Sequence, residues 1–397
     1  MKTIYLLDEI TEATKEKARA KGYRFADTQT PEAIFVRSKQ VPDALITADL
    51  AVIARSGSGT NTINIDKCTE NGTVVFNSPG VNANAVKELV LTNLFLSVRP
   101  LDKAHEVMCQ IEEELAKGNV AGDAVLAAAE ERRSTLIGEE LTGKTIGILG
   151  LGEIGERLAE ACYHLGMDVI GYARTQKDSM YFEQTAALSE LLKEADFVVV
   201  LLPLNDQTQG LINEEAFASM KPEAILLNFG RGEIVDEAAV LNALDAGRIK
   251  QYITDFPTAS VVQHPKVVTY PHIGGTTVDA LTAGDRIVFA RMDRFLRYGT
   301  IKESVNFPEV TLPFLAPYRL TIFHKDAPGA LAPLLKLLSD AAIDIAHLAS
   351  ERKAGMAYTI IDMAEQKVEE VQQAAAMLQE VPQVHRVRLL HNPHLDV

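Results

Sequence analysis

Residues 145–155 read Thr145-Ile-Gly-Ile-Leu-Gly150-Leu-Gly152-Glu153-Ile154-Gly155, an apolar strand that runs into a Gly-x-Gly-x-x-Gly turn and then a helix over 153–163. Gly150 lets the chain turn sharply off the strand. Gly152 has no Cβ, so a pyrophosphate can lie against the backbone, and Gly155 lets the helix pack close to the sheet. The first helical turn, at Glu153, Ile154 and Gly155, then offers free N–H groups and the positive end of the helix dipole to the phosphates. A lone glycine pattern is also compatible with a tight structural turn. The strand before it and the helix after it make dinucleotide binding the stronger reading.

The next strand, 167–172 (MDVIGY), is followed by Ala173, Arg174 and Thr175. An NAD-selective site usually places an Asp or Glu here, about 20 residues past the glycines, to accept from the ribose hydroxyls. A carboxylate would repel a 2′-phosphate, whereas Arg174 attracts one. The residues therefore predict NAD or NADP as cofactor, with NADP accepted. The alternative is a solvated Arg174 beside a weak NAD site.

A chain of 397 residues, 47% of them hydrophobic, is long enough for two or three domains with substantial cores. No apolar run is long enough to span a bilayer. The N-terminal MKTIYLLDEI is broken by Asp8 and Glu9 and reads as a first strand, not a signal peptide. Three scattered cysteines argue for the reducing cytoplasm and against both a disulfide framework and a metal site. A net charge of −15 disfavours nucleic acid and anionic membranes as partners. It also means that an anionic substrate needs a local basic pocket.

The first ninety-odd residues alternate strands (3–7, 33–36, 51–54, 74–76) with helical patterns such as 11–21, which implies a parallel sheet covered on both faces. Helices over 85–99 and 102–117 follow. After the glycine turn come further strands at 197–202, 224–228, 251–255 and 267–269, then a long helix over 277–298. The stretch 304–317 carries Pro308, Pro313 and Pro317 and reads as a linker. Beyond it, strands at 318–324, 344–351, 358–363 and 384–390 with helices at 329–340 and 368–379 give the β-α-β-β-α-β ferredoxin-like order. The fold class is thus α/β: two doubly wound parallel-sheet (Rossmann-like) domains plus a C-terminal ferredoxin-like domain.

Arg231 in Asn228-Phe229-Gly230-Arg231, Asp255 in QYITD and His272 in YPHIGG, with Gly274 just beyond, all fall at the C-terminal ends of strands. In open α/β sheets that edge binds ligands. Hydride transfer from an alcohol needs a base for the hydroxyl proton, a task suited to His. It also needs a cation for a substrate carboxylate and carbonyl, a task for the fork of Arg. A lone His at a strand end is more often structural; beside a cofactor turn and an Arg it becomes the acid/base candidate. In the first domain Arg37-Ser38-Lys39 and Arg55-Ser56-Gly57-Ser58-Gly59 follow apolar strands, setting three cations and a glycine-rich loop on one sheet edge. The functional reading is capture of carboxylate and phosphate. The plain alternative is solvated charge at Arg37 and Lys39.

Taken together, the stretches at 54–90, 143–155, 202–217 (LPLNDQTQGLINEEAF), 226–237 and 270–275 resemble the D-isomer-specific 2-hydroxyacid dehydrogenases over essentially the whole chain. FHKDAPGAL (323–331) is similar to the start of an ACT domain, a regulatory module. The resemblance implies a substrate-binding domain at 1–98 completed by 280–310, an NAD(P)-binding domain at 99–279, a linker at 311–317 and an ACT-like domain at 318–397, with the active site in the cleft. It implies Arg231 and His272 as catalytic residues, Asp255 at the nicotinamide carboxamide, and Pro203 and Thr208 beside the adenosine. Arg55, Ser56 and Gly57 would meet the substrate, with Asn84 near the cleft. Arg37, Lys39 and Arg55 are the phosphate candidates for a phosphorylated 2-hydroxy acid. The activity that follows is NAD(P)-dependent oxidation of 3-phospho-D-glycerate to 3-phosphohydroxypyruvate, the entry to serine. The alternatives are an NADPH-dependent glyoxylate/hydroxypyruvate reductase and a non-catalytic dinucleotide-sensing binding module. A homodimer or homotetramer is implied as well.

Two departures stand out. The family pairs its His with a Glu five residues after the Asp255 position; Ser260 stands there, and no carboxylate lies between Asp255 and His272. Asp255 itself, or a carboxylate from elsewhere, would have to substitute. ACT domains that bind serine commonly carry Asn where this chain has Asp344, so an amino-acid effector at this domain is expected not to be serine.

Overall fold

The computed structural model describes residues 2–28, 30–364 and 367–395. The chain forms two compact units, Met1–Asn82 with Thr277–Val397, and Ala83–Thr276.

In the first unit Thr3–Leu6 (β1), Arg24–Phe25 (β2), Ala33–Val36 (β3), Val52–Arg55 (β4) and Val74–Phe76 (β5) form a parallel sheet in the order β2-β1-β3-β4-β5. Every residue of β3, β4 and β5 is buried, as expected of strands covered on both faces. Glu12–Ala20 (α1) and Ile65–Glu70 (α2) connect strands. The two-residue β2 carries too little apolar pattern to be seen in the sequence.

The second unit opens with Ala83–Val98 (α3), Leu101–Ala116 (α4) and Val125–Arg132 (α5). α3 was expected to close the first domain, with a boundary after residue 98. The structure divides at Ala83 instead, because Val86, Val90, Leu94 and Val98 recur every fourth residue and bury against Ile146, Ile148, Leu158 and Phe197. The sheet then builds from Thr145–Leu149 (β6), Asp168–Tyr172 (β7), Glu183–Thr185 (β8), Phe197–Val200 (β9), Ile225–Asn228 (β10), Gln251–Thr254 (β11) and Val267–Thr269 (β12). Between them run Glu153–His164 (α6), Leu188–Glu194 (α7), Glu214–Ser219 (α8) and Glu237–Asp245 (α9). All pairs are parallel, in the order β12-β11-β10-β9-β6-β7-β8. Strand order reverses between β6 and β9, the switch point where such sheets open a crevice.

The chain returns to the first unit through Val278–Tyr298 (α10), capped by the Thr277 hydroxyl and ended by left-handed Gly299. Val288, Phe289, Met292, Phe295 and Leu296 on this helix join the core over β1–β5. The start of the proline-bearing stretch at 304–317 is bonded to β5. Val305 N–H donates to Val75 O (2.9 Å), Asn306 Oδ1 accepts from Val75 N–H (3.0 Å), and Phe307 is fully buried.

Tyr318–Lys325 (β13), Leu331–Asp340 (α11), Ile345–Lys353 (β14), Met356–Met363 (β15), Val368–Gln379 (α12) and Val384–His391 (β16) follow. The strands pair antiparallel in the order β14-β15-β13-β16, the ferredoxin-like arrangement. Alternation along β13 sorts the two faces. Leu320 and Ile322 meet Leu334, Leu338 and Leu378 of the helices, while Phe323 turns the other way onto Phe307, with ring centroids 4.6 Å apart. The C-terminal module therefore shares its second face with the core of residues 1–82. Buried Arg386 donates to Leu50 O (2.5 Å) and Gly72 O (3.3 Å), and Tyr358 Oη to Gly299 O (2.6 Å).

Candidate active site

The glycine turn has the shape that a pyrophosphate needs. Gly150 takes φ 109°, a conformation that favours glycine. A Cβ on Gly155 would stand 2.0 Å from Gly150 O, whereas one on Gly152 would meet nothing within 4 Å. Gly152 is the N-cap of α6 and caps it with no side chain. The N–H groups of Glu153, Ile154 and Gly155 have no acceptor inside the helix, so they face that open space as donors. The residues present fit a dinucleotide.

Past β7, Ala173 is half-buried and Arg174 exposed, with its Nη1 3.4 Å from Gln207 Oε1. Thr175 follows, and its carbonyl accepts from Gln184 Nε2 (3.0 Å). Past β9, the Thr208 hydroxyl donates to Pro203 O (2.6 Å) and closes the loop between them.

β10, β11 and β12 are adjacent and parallel, so the loops after them emerge at one sheet edge. Asn228 at the end of β10 organises the first of these loops. Its Nδ2 donates to Arg231 O (2.9 Å) and to Tyr252 Oη (3.4 Å), its Oδ1 accepts from Gly230 N–H (3.2 Å), and its carbonyl accepts from the Thr254 hydroxyl (3.0 Å). Phe229 is buried beside it. Arg231 is extended and half-buried, with Nη1 donating to Gly230 O (2.7 Å).

Asp255, 2% exposed, holds the third loop to the second. Its Oδ2 accepts from Gly274 N–H (2.9 Å) and its carbonyl from His272 N–H (3.0 Å). Its Oδ1 is buried with no hydrogen-bond partner among the described residues. Burial pushes this carboxyl up, against the opposing pull of the Gly274 N–H, His272 and Arg231. His272 is exposed, sits at φ 51°, and tilts its ring onto Phe256 with centroids 4.9 Å apart. A left-handed conformation at a non-glycine residue is strained and is held by its surroundings. Next to the imidazole lies a cavity of about 510 Å³ lined by Asp255, Phe256, Tyr252, Glu233 and Glu237 among others.

Arg231, Asp255, His272, Asn228, Gly230 and Gly274 thus assemble in the Ala83–Thr276 unit. Asn84 belongs to the same unit, where its side chain bonds Glu88 and Lys87 at 2.7 Å each. Arg37, Lys39, Arg55, Ser56 and Gly57 belong to the other unit, where Arg37 and Lys39 follow β3, Arg55 ends β4, and Ser56 and Gly57 follow it. Arg37 Nη2 pairs with fully buried Asp285 on α10 (3.0 Å). Lys39 Nζ donates to Leu7 O (2.6 Å), and Arg55 Nη1 donates to Gly59 O. The backbone N–H groups of Arg37, Ser38 and Lys39 all point at Asp8 Oδ2 (2.7, 2.9 and 3.1 Å). Burial raises the Asp8 carboxyl, but these bonds and Lys39 outweigh it and hold it below the usual range.

Sequence reading passed over Tyr252, Phe256, Asp8 and Asp285. For Asp285 there was a signal, since an acid stands within the apolar stripe of a long helix. Tyr252 reads only as one apolar strand residue among several.

The family described as "D-isomer specific 2-hydroxyacid dehydrogenase, NAD binding domain" matches residues 106–274. The D-3-phosphoglycerate dehydrogenase of Escherichia coli K12 is 29% identical over 417 aligned positions, covering 97% of each chain. That of Haemophilus influenzae is 31% identical over 84% of this chain and 79% of its own. Among solved structures, the fold is shared with NAD⁺-bound 3-phosphoglycerate dehydrogenase of Entamoeba histolytica (TM-score 0.61, 23% identity, 77% of this chain and 98% of that one). It is shared as well with an NADPH-dependent glyoxylate/hydroxypyruvate reductase of Sinorhizobium meliloti in complex with NADP and malonate (TM-score 0.63, 23% identity, 78% and 99%). The chain belongs to the D-isomer specific 2-hydroxyacid dehydrogenase family.

Proposed function

We propose that this protein oxidises 3-phospho-D-glycerate to 3-phosphohydroxypyruvate with a nicotinamide dinucleotide. The observation that carries the reading is the placement of Arg231 and His272 past β10 and β12 of the sheet whose β6 bears the phosphate turn. Likeness over 97% of the chain to a protein named D-3-phosphoglycerate dehydrogenase supports it, as does likeness over 84% to another.

The dinucleotide, when bound, supplies the hydride acceptor. Gly150, Gly152 and the N–H groups at 153–155 hold its pyrophosphate. Arg231 binds the substrate carboxylate through its fork and faces the oxygen that gains carbonyl character. His272 takes the hydroxyl proton onto its imidazole. Arg37, Lys39 and Arg55 are the cations for the phosphate, with Asp285 fixing the direction of Arg37. The reaction would serve serine formation in the cytoplasm. The protein would act as a homodimer or homotetramer, with the C-terminal module as an ACT-like regulatory element for an effector other than serine.

One observation favours a second reading. Ala173-Arg174-Thr175 offers a cation and no carboxylate to the adenosine ribose, which suits NADPH and a reductase of glyoxylate or hydroxypyruvate. Turnover of phosphorylated and unphosphorylated hydroxypyruvate, each with NADH and NADPH, separates the two. Preference for the phosphorylated acid supports the first reading, and preference for the unphosphorylated acids with NADPH supports the second. Cofactor binding without turnover of any 2-hydroxy acid would leave a binding module.

A further inference from the structure

We propose that the cavity lined by the end of α1, the end of α10 and the stretch at 300–314 binds a nucleoside phosphate, apart from the dinucleotide held by the glycine turn. The inference does not depend on the catalytic reading.

The cavity measures about 790 Å³, within the range of small-molecule sites. Helix period sets its charged side. Lys17 and Lys21 stand four residues apart at the end of α1, and Ala290, Arg294 and Tyr298 recur at the same interval along α10, so each set shares a face. Lys302 joins them just past α10. Four cations thus line the cavity against two carboxylates, Asp293 and Glu309, in a chain whose net charge is −15. Asp293 is 4% exposed and already bonded: Lys21 Nζ, Tyr23 Oη (3.0 Å) and Arg297 Nε (2.8 Å) all donate to it. Glu309 accepts the Glu303 N–H (2.9 Å). The side chains of Lys17, Arg294 and Lys302 have no hydrogen bond or ion pair among the described residues. Three unpaired cations from three segments around one concavity focus a positive potential, which a phosphate complements.

A second part of the lining is apolar and built to stay in place. Leu312, Pro313 and Phe314 supply it. Arg319 of β13 is fully buried, and Asp362 of β15 holds its guanidinium at 2.5 and 2.8 Å. The same guanidinium donates to Tyr298 O (2.7 Å) and Pro313 O (3.0 Å) and lies 4.3 Å from the centre of the Phe314 ring. One buried ion pair therefore fixes both the end of α10 and the apolar lining. A half-buried ring held in this way is a platform for a planar base. The base lies against Leu312 and Phe314, and its phosphates reach Lys17, Arg294 and Lys302. An inorganic anion would use the cations alone, whereas a nucleoside phosphate uses both parts of the lining.

The test is calorimetric titration of the full chain, kept in excess NADH, with ATP and, as the control that lacks a base, inorganic tripolyphosphate. NADH fluorescence shows whether the cofactor stays bound. One ATP per chain is expected, held about tenfold more tightly than tripolyphosphate, with an affinity that falls as salt rises. Arg294→Gln and Lys302→Gln, alone and combined with Lys17→Gln, are each expected to weaken ATP by about tenfold or more and to leave NADH affinity unchanged. These side chains are exposed and unpaired, so their loss spares the fold, and thermal unfolding verifies that. The proposal is overturned if the NADH-bound protein takes up no ATP, if ATP binds only by displacing NADH, if the variants bind ATP as the wild type does, or if tripolyphosphate binds as tightly as ATP.

Discussion

Replacing Gly152 with alanine adds a methyl group at a point of the phosphate turn where nothing stands within 4 Å. The φ and ψ of Gly152, −82° and −164°, are open to alanine, so the backbone does not resist. The folded chain has little to lose beyond a small N-cap effect, a few tenths of a kcal/mol to about 1 kcal/mol. The new methyl occupies the space reserved for the pyrophosphate. Keeping the phosphate from even one of the N–H donors at 153–155 forfeits a charge-assisted bond, about 1.5–3 kcal/mol. That corresponds to a dissociation constant for NADH raised about 10- to 150-fold. Gly155→Ala is the control with the opposite signature. Its Cβ would lie 2.0 Å from Gly150 O and 3.0 Å from Gly150 C, backbone atoms that no rotamer change can move. It should lower stability by about 1–3 kcal/mol or more. The chain has no tryptophan, so binding is read from NADH fluorescence or calorimetry, beside thermal unfolding of each variant. The reasoning is refuted if Gly152→Ala binds NADH like the wild type, or if Gly155→Ala unfolds like it.

Arg174→Asp should move the ratio of NADPH to NADH efficiency toward NADH by about tenfold or more; an unchanged ratio in steady-state kinetics would remove Arg174 from cofactor choice. Arg386→Met removes the guanidinium donor from the Ala48, Leu50 and Gly72 carbonyls, of which Leu50 O keeps the Thr73 hydroxyl, and should cost about 1–3 kcal/mol, so a melting curve that superimposes on the wild type's would contradict the shared core of the C-terminal module. Burial pushes the His324 imidazole down, against the Lys325 carbonyl and Asp326, with His385 adding to the lowering. The unfolded chain therefore binds this proton first as pH falls below about 6.5. Stability from this residue is full above that value, declines below it and levels off at the folded value; His324→Gln should flatten that part of a denaturant-midpoint against pH curve. Burial pushes the Cys68 and Cys162 thiols up to about 12, whereas Cys109 is exposed. A thiol reagent should modify one cysteine in the native protein and three after denaturation.

The parallel sheets were legible because both faces of their strands are covered, so runs such as FVVV at 197–200 and AIFV at 33–36 are apolar throughout and short. The loops that carry Arg231 and His272 were legible because a polar residue directly after such a run has to stand at the sheet edge. What the sequence concealed was tertiary pairing. The role of α3 depends on which sheet its fourth-residue stripe meets, and 83–98 carries no mark of that. The proline-rich stretch at 304–317 has the composition of a linker, yet Asn306 and Phe307 fix it to β5 and the core through partners more than 200 residues away. The cations at 37 and 39 likewise gave no sign that Asp285 and Leu7 would hold them. Hydrogen bonds between distant segments leave no periodicity to read.

The central claim is that His272 removes the substrate hydroxyl proton in a dinucleotide-dependent oxidation. It is tested most directly by following formation of reduced nicotinamide from 3-phospho-D-glycerate in the wild type and in His272→Ala, with cofactor affinity measured for both. We predict turnover by the wild type, a loss of about 10²- to 10⁴-fold in kcat for the variant, and cofactor affinity that is unchanged. Equal turnover by the two proteins, or none by the wild type with any 2-hydroxy acid, would contradict it.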